Sequence, residues 1–483
     1  MLRRTKIVAT LGPATDDPGV LDELIDAGLD VARINLSHGP REVHARRIRI
    51  LRERTAAKQR PVGLLVDLQG PKIRIGRFAG GAVTLADGDA FALDAACPLE
   101  AGDGGRVGLT FPQLIEDLST GDILLLDDGR IVLRVDALGE GRADCTVVMG
   151  GRLSDSKGIN RQGGGLSATA LSAKDREDIG FAAEMEADYL AVSFVRDASD
   201  VEQARELLRE ARGQGGILAK IERAEALASI EDIIAASDAI MVARGDLGVE
   251  IGDAELPAVQ KSLIRRAREM DTVVITATQM MESMIENAIP TRAEVFDVAN
   301  AVFDGTDAVM LSAETAMGRN PAKSVAAMDR ICREAEKHKA VRTSSHRIDS
   351  VFTRRDEAIA MAAMYTANHY LRVKAIAALT ESGSTVKTMS RISSGIPIYA
   401  MTRHRSTRRK VTLFRGVYPI RFDVVTTDAR RINQAIIDEL LRRHAVEEGD
   451  VVIITKGDRS GVGGRTNTMK IMRVGDHVIP PQA

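Results

Sequence analysis

Eight short runs of β-branched and aliphatic residues, each trailed by a stretch with helical spacing, constrain this chain more than any other feature. TKIVATLG (5–12), VARINLS (31–37) and VGLLVDLQ (62–69) are the first three. YLAVSF (189–194), GGILAKIE (215–222), AIMVARGD (239–246), TVVITAT (272–278) and AVMLSAE (308–314) are the rest. Nearly continuous apolar strands that alternate with helices read as parallel strands covered on both faces. Eight such units predict an α/β fold closed as a (βα)8 TIM barrel. A large open doubly wound sheet is the structural alternative.

The rhythm breaks once and then restarts in a different register. From Pro71 to about Ser167, segments such as GAVTLADGDAFALD and GRIVLRVDALGEGRADCTVVM alternate with period two between frequent glycine turns. This is a small β-rich module inserted into the barrel rather than appended, because βα units resume at SAKDREDIGFAAEMEA. After residue 340 a further α/β pattern follows, with strands expected in VKAIAALT, PIYAMT, GVYPIRF and DVVIITKGD. The expected division is therefore a barrel over 1–70 and 168–340, a lid over 71–167 and a C-terminal α/β domain over 341–483.

Composition narrows the function classes. A formal charge of −2, aromatic content of 3% and no Trp give no electrostatic or stacking reason to expect nucleic acid. Alternating Arg, apolar and Glu residues in REVHARRIRILRERTAAKQR (41–60) read as a solvated outer helix face. Cys97, Cys145 and Cys332 lie far apart, as expected of buried thiols in a reducing compartment. The basic start MLRRTKIVATLGP has too short an apolar run for a signal peptide, and no run approaches membrane-spanning length. A cytoplasmic protein with no membrane partner is expected.

In a TIM barrel, chemistry belongs at the C-terminal ends of the strands. Polar residues collect there: Arg33, Asn35 and Ser37 on the second strand, Asp67 on the third, Ser193 on the fourth, Lys220 and Glu222 on the fifth. Asp246, Thr278 and Glu314 end the last three. Each alone has an ordinary reading, a snorkelling lysine or a strand-end cap. Together, two carboxylates (Glu222, Asp246) and several cations facing one cavity suggest Mg²⁺ and a phosphorylated substrate. Lys220 and Glu222, two apart on one strand, point the same way. No Walker-type glycine loop and no kinase HRD or DFG set is present. The inserted module is a candidate lid over a site that must exclude water.

The segments KIVATLGPAT, ARINLSHG, DLQGPKIR, SKGIN, AKIE, ARGDLG, TATQMMESM, PTRAEVFDVANAVFDGTDAVMLSAETA and TNTMKIMRV resemble the pyruvate kinase family over essentially the whole chain. The resemblance implies a (βα)8 barrel interrupted after its third strand by a β-barrel lid, and phosphoryl transfer from phosphoenolpyruvate to ADP. It further implies that Arg33 holds the phosphoryl group and Lys220 stabilises it in flight. Glu222 and Asp246 bind Mg²⁺, and the backbone of Gly245 and Asp246 meets the substrate carboxylate at a helix start. Thr278 orients a water or relay for protonation at carbon, since a Thr hydroxyl is itself a poor acid. Arg74 and Lys157 reach the ADP phosphates, with Asn35, His38 and Pro13 on the nucleotide side.

The stretch VDLQGPKIR departs from the family's D-T-K-G-P-E: Leu68, Gln69 and Lys72 replace Thr, Lys and Glu. Family members hold a monovalent cation, usually potassium, at positions matching Asn35, Ser37, Asp67 and the carbonyl after that Asp. The expectation is that the Lys72 ammonium substitutes for that ion close to Asp67, so that no added potassium is required. The alternative has Lys72 in solvent and an ion still bound. A second departure is N-R-Q-G-G-G (160–165), where many members read N-L-P-G; glycines 163–165 predict a looser lid hinge.

In the C-terminal domain TESGSTVKTMS (380–390) reads as a strand end, a hydroxyl-rich loop and a helix start. Thr380, Ser382, Gly383, Ser384 and Thr385 are candidate phosphate ligands, an ordinary helix cap being the equal alternative. With KGDRSGVGGRTN (456–467) this loop resembles the family's sugar-phosphate effector site. It implies allosteric activation by a phosphorylated metabolite, and the family's usual homotetramer. The basic run RHRSTRRK (403–410) contributes to that site or lies at a subunit contact. The rivals are a Mg²⁺-dependent carbon–carbon lyase acting through a pyruvate enolate, and a non-catalytic metabolite sensor.

Overall fold

The computed structural model describes residues 2–343, 347–428, 431–457 and 466–476. The chain begins with β1 (Lys6–Thr10), β2 (Val31–Asn35) and β3 (Gly63–Asp67), joined by helices Pro18–Ala27 and Arg41–Ala57. Asp17 caps the first helix by accepting the amides of Gly19 and Val20, and Pro18 occupies its first position.

The inserted module follows as β4 (Ala82–Leu85), β5 (Ala90–Asp94), β6 (Arg106–Val107), β7 (Ile123–Leu126), β8 (Ile131–Gly139), β9 (Arg142–Met149), β10 (Gly151–Ser154) and β11 (Ile159–Arg161). Its strands pair as a six-stranded sheet, β11-β7-β8-β9-β5-β6, and a two-stranded ribbon, β10-β4, rather than as one continuous ring. Both pack on a single apolar core that includes Phe78, Phe91, Leu124, Leu133 and Val147.

The barrel resumes with β12 (Tyr189–Val192), β13 (Gly216–Ile221), β14 (Ala239–Ala243), β15 (Val273–Ala277) and β16 (Ala308–Leu311). These strands and the first three close in the order β1-β16-β15-β14-β13-β12-β3-β2. Closure excludes the open-sheet alternative. Register aligns the strand ends: Thr10 pairs with Arg33, Asn35 with Asp67, and Asp67 with Ala191. Every residue of β1, β3, β14 and β15 is buried, as strands covered on both faces require.

The C-terminal sheet runs β19-β18-β17-β20-β21, from β17 (Val373–Leu379), β18 (Ile398–Thr402), β19 (Val417–Arg421), β20 (Val451–Lys456) and β21 (Thr468–Arg473). The first four lie in the expected segments. The fifth, antiparallel to β20, was not anticipated as a strand. This domain is fused to the N-terminal end of the barrel. Val8, Leu65, Tyr189 and Met241 from the barrel interior share one core with Ile376, Val386 and Phe414. Lys6 Nζ donates to the Val417 carbonyl at 2.6 Å and the Tyr189 hydroxyl to that of Lys410 at 2.9 Å. The opposite end of the barrel is thereby left for the lid and the polar residues. Cys97, Cys145 and Cys332 are free and buried, and burial pushes the Cys145 and Cys332 thiols up to about 12.

Candidate active site

Asp67, the last residue of β3, is fully buried at the barrel mouth. Arg33 Nε donates to its Oδ2 at 2.7 Å, and Lys220 Nζ stands 3.4 Å from Oδ1. Lys220 also lies 2.8 Å from Glu222 Oε1 and donates to Ser193 Oγ at 2.6 Å. Burial by itself pulls the Lys220 ammonium down, but Asp67 and Glu222 outweigh it and hold its pKa above the ordinary value. Glu222 is raised, chiefly by burial and further by Asp246, against the opposing pull of Lys220. Its Oε2 accepts the amide of Phe194, a residue held at φ +56°. A non-glycine residue in that region is strained, and this strain serves to aim an N–H at the carboxylate.

Asp246 and Glu314 lie beyond their strands, in the first turns of helices Arg244–Ile251 and Ala313–Ala316, because β14 and β16 stop short of them. The Glu314 carboxylate accepts the amides of Met281 and Ser312, which gives it a loop-tying role. Gly245 and Asp246 stand at a helix start as anticipated, and the Gly245 amide donates to Thr278 Oγ1 at 2.9 Å. Thr278 is a β-branched residue at φ +64°, followed by Gln279 at φ +53°. Arg244 holds this turn: its guanidinium donates to the carbonyls of Ala277 and Thr278 at 3.1 and 2.6 Å, braced by Asp297 at 2.7 Å. Sequence reasoning missed Arg244, although it directly precedes the Gly-Asp pair. It also missed Thr10, whose hydroxyl accepts from Arg33 Nη1 at 2.9 Å and was visible only as the polar end of β1.

The structure gives Lys72 a partner other than the one expected. Its ammonium lies 3.4 Å from Asp246 Oδ1, and among the described residues Asp67 forms ion pairs only with Arg33 and Lys220. Lys72 leaves β3 past Gly70, whose φ of +68° turns the chain toward the lid, and its stem runs along Gly158. Of the groups expected around a monovalent cation, Asn35 Oδ1 accepts the Ser37 amide and the Leu68 carbonyl accepts the Ser193 hydroxyl.

Arg74 and Lys157 meet at the root of the lid, where Arg74 bridges to Gly158 and the Ile75 amide donates to the Lys157 carbonyl at 3.0 Å. Lys157 Nζ is turned onto Asp127 at 2.7 Å and Arg74 Nη1 onto the Ser156 carbonyl at 2.8 Å. His38 is exposed at the rim; partial burial and the cations Arg74, Arg33 and Lys72 hold its imidazole below the usual value. Pro13 opens the 3-10 turn Pro13–Thr15 after β1. The hinge glycines 163–165 all lie at positive φ, and two of them are bonded to the barrel. The Gly163 amide donates to the Glu250 carbonyl at 3.0 Å and that of Gly165 to Glu225.

The 380–385 loop is tied by hydroxyl groups. Thr380 Oγ1 accepts the Gly383 amide at 2.9 Å, Ser382 Oγ accepts that of Ser384 at 3.4 Å, and Thr385 bonds Thr466 at 2.9 Å. The helix Ser384–Arg391 that follows starts at Gly383, at φ +87°, and has no side-chain cap. Residues 458–465 of the neighbouring glycine-rich segment lie outside the described residues.

Among the described residues no three His, Cys, Asp or Glu converge to hold a metal ion. Two carboxylates do converge, Glu222 and Asp246, each neutralised by a lysine. Such a pair fits Mg²⁺, which keeps waters and substrate oxygens in its shell. It does not fit an all-protein cage.

A closed parallel barrel with an inserted β module and cations and carboxylates gathered at its C-terminal mouth defines a TIM-barrel enzyme whose site suits an anionic substrate. Residues 2–325 match the family described as "Pyruvate kinase, barrel domain", and residues 357–472 match "Pyruvate kinase, alpha/beta domain". The chain is 53% identical to pyruvate kinase II of Salmonella typhimurium over 477 residues, covering 98% of this chain and 99% of that protein. It is 52% identical to a pyruvate kinase of Buchnera aphidicola and 49% to one of Haemophilus influenzae, with the same coverage. The chain belongs to the pyruvate kinase family, a family of phosphotransferases. No helix among the described residues is long and apolar enough to cross a membrane.

Proposed function

We propose that the protein transfers the phosphoryl group of phosphoenolpyruvate to ADP, giving ATP and pyruvate, as the last step of glycolysis in the cytoplasm. The observation that carries this reading is the Arg33–Asp67–Lys220–Glu222 array at the barrel mouth, with Asp246 across from it. Arg33 and Lys220 hold the phosphoryl group between two cations, while Asp67 fixes both without itself meeting the substrate. Phosphoryl transfer requires chiefly such positioning and charge stabilisation. The bond from phosphorus to the enol oxygen breaks as a β-phosphate oxygen of ADP bonds to phosphorus. The enolate then takes a proton at carbon, from a water oriented by Thr278. Glu222 and Asp246 would hold Mg²⁺, which supplies charge neutralisation at the phosphoryl and enolate oxygens.

Arg74 and Lys157 exchange their lid partners for the ADP phosphates when the lid closes, with Asn35, His38 and Pro13 lining the nucleotide side. In this reading the barrel comprises 1–70 and 168–340, the lid 71–167 and the regulatory domain 341–483, assembled as a homotetramer and activated by a phosphorylated metabolite.

Potassium independence belongs to the same proposal. Lys72 sits on the wall shared by the metal carboxylates, and the internal bonds of Asn35 and the Leu68 carbonyl leave fewer ligands for an added cation. The test is pyruvate formation from phosphoenolpyruvate, ADP and Mg²⁺ in buffer free of potassium and ammonium, then with potassium added. Rapid turnover in the first buffer is expected. Strong activation by potassium would keep the kinase and remove Lys72 as its substitute cation. No turnover in either buffer would overturn the kinase reading.

A further inference from the structure

The chain crosses between barrel and lid twice, and both crossings are short. Leu68 belongs to the apolar core of the barrel and Ile73 to that of the lid, so the outward crossing spans residues 69–72. On the return, Leu166 and Ala168 lie in the lid core and Ala170 and Leu171 in the barrel core, with Thr169 exposed between them. The barrel-side ends of the two crossings meet on one side chain. Asp175 is fully buried in the first turn of helix Ala173–Glu184. Its Oδ1 accepts the Gly70 amide at 3.0 Å. Its Oδ2 accepts the Ser172 amide at 2.9 Å and the Ser172 hydroxyl at 2.5 Å.

A capping box satisfies donors at a helix start, and Ser172 with Asp175 completes one unaided. The bond to Gly70 is additional to that box, and it joins the two roots of the lid. The carboxylate that joins them is itself anchored to the barrel. Lys174 Nζ donates to the Leu36 carbonyl, just past β2, at 2.9 Å, and Arg41 Nε donates to Asp178 Oδ1 at 3.1 Å. Gly70 is held by packing as well, since a Cβ there would stand 2.8 Å from Ser193 Cβ. The bonds of Gly163 to Glu250 and of Gly165 to Glu225 lie on the lid side of the return crossing. A turning lid would break those two and spare the bonds to Asp175.

We infer that Asp175 is the fixed point on which the lid turns, pinning its departing and returning segments together, and is thereby a positioning residue for phosphoryl transfer. The inference rests on the proposed function, in which the lid carries Arg74 and Lys157 onto the ADP phosphates. A lid with one fixed root closes along one path and delivers both cations to one place. A lid whose two roots move independently closes along many paths, and the cations seldom arrive together.

The test compares the full-length chain with Asp175→Asn, which keeps the volume but leaves one acceptor oxygen for two sites. The KM for ADP is expected to rise at least about fivefold and kcat to fall about tenfold. The dissociation constant for phosphoenolpyruvate, titrated with Mg²⁺ and without ADP, should change by less than about threefold, because Arg33 and Lys220 stand on barrel strands. Ser172→Ala removes the capping hydroxyl alone and should lower the melting temperature without moving the KM for ADP. If Asp175→Asn lowers only the melting temperature, Asp175 is an ordinary helix cap and the inference fails. If Asp175→Asn does not fold, hydrogen exchange of the unaltered chain decides. Peptides spanning 67–73 and 170–176 should keep the same protection with and without Mg²⁺ and ADP, while protection over 160–166 changes. Protection at Gly70 that changes together with that over 160–166 would overturn the pivot. Absence of turnover by the unaltered chain would remove the kinase reading, and the exchange measurement would still decide the pivot.

Discussion

The Lys220 ammonium is shared between Glu222 at 2.8 Å and Asp67 at 3.4 Å, and Arg33 also pairs with Asp67 at 2.7 Å. Replacing Lys220 by Gln leaves Glu222 without its cation and, in the proposed function, removes a charge that stabilises the phosphoryl group. Turnover by Lys220→Gln is expected to fall by about 10²–10³-fold or more, in line with loss of a preorganised charge-stabilising group. The check is kcat against KM for phosphoenolpyruvate; a change in KM alone would mean that Lys220 only binds. Lys72 faces Asp246 and is partly exposed, so its removal leaves the fold intact. Lys72→Gln is expected to lose at least tenfold of the potassium-free turnover and to recover part of it on adding potassium. Undiminished turnover in potassium-free buffer would show that the Lys72 charge is not needed.

At the level of elements, the turn at Gly70 and the helix Arg244–Ile251 each have a single weak point. Gly70 lies at φ +68°, and a Cβ there would stand 2.8 Å from Ser193 Cβ and 2.9 Å from Phe194 Cδ2. Gly70→Ala therefore strains the backbone by about 1–3 kcal/mol and displaces the hydroxyl that receives Lys220. A lower melting temperature together with reduced kcat is the expected result. The lid hinge rests on Glu250, which is buried, accepts the Ala224 amide at 2.8 Å and the Asn160 side chain at 3.4 Å, and faces Glu225 and Arg223. Burial, with Glu225 adding, raises its carboxyl to about 7. A carboxyl raised on folding binds its proton more tightly in the native state, so this contribution is fully present below the unfolded value of 4.5 and is lost as pH rises through 7. Glu250→Gln is expected to flatten the fall in melting temperature between pH 5 and pH 8, about 3 kcal/mol of pH-dependent stability at most. Parallel curves for the two proteins would remove Glu250 as the source.

Across the whole molecule, the barrel and the C-terminal domain behave as one packed body at the end remote from the lid. Besides the shared apolar core, Arg391 in the C-terminal domain lies fully buried against Asp307 at the start of β16, with Nη1 2.7 Å from Oδ2 and a further bond of 3.1 Å to the Thr272 carbonyl. Removing one partner of a buried pair leaves an uncompensated charge, typically a loss of about 3–5 kcal/mol. Arg391→Met should lower the melting temperature accordingly. The double variant Arg391→Met/Asp307→Leu should regain much of it, since neither charge then remains buried. A double variant no more stable than the single one would mean that the pair does more than neutralise itself.

The barrel was legible because its strands are buried on both faces, which prints each as a compact apolar run that local sequence cannot hide. The polar ends of those runs, Arg33, Asp67, Lys220 and Glu222, were legible for the same reason: a charge closing an apolar strand has few places to go but the barrel mouth. β21 was not recognised, since Thr468–Arg473 is half exposed at a sheet edge and carries no continuous apolar signal. Lys72 was read, from its place in the family's motif, as a cation close to Asp67, and the ion pair it makes is with Asp246, 174 residues away. Arg244 and Thr10 likewise depend on partners distant in sequence. Hydrophobic periodicity is a local property and was fixed by the chain alone; which charge answers which is set by distances that exist only once the barrel has closed and the two domains have met.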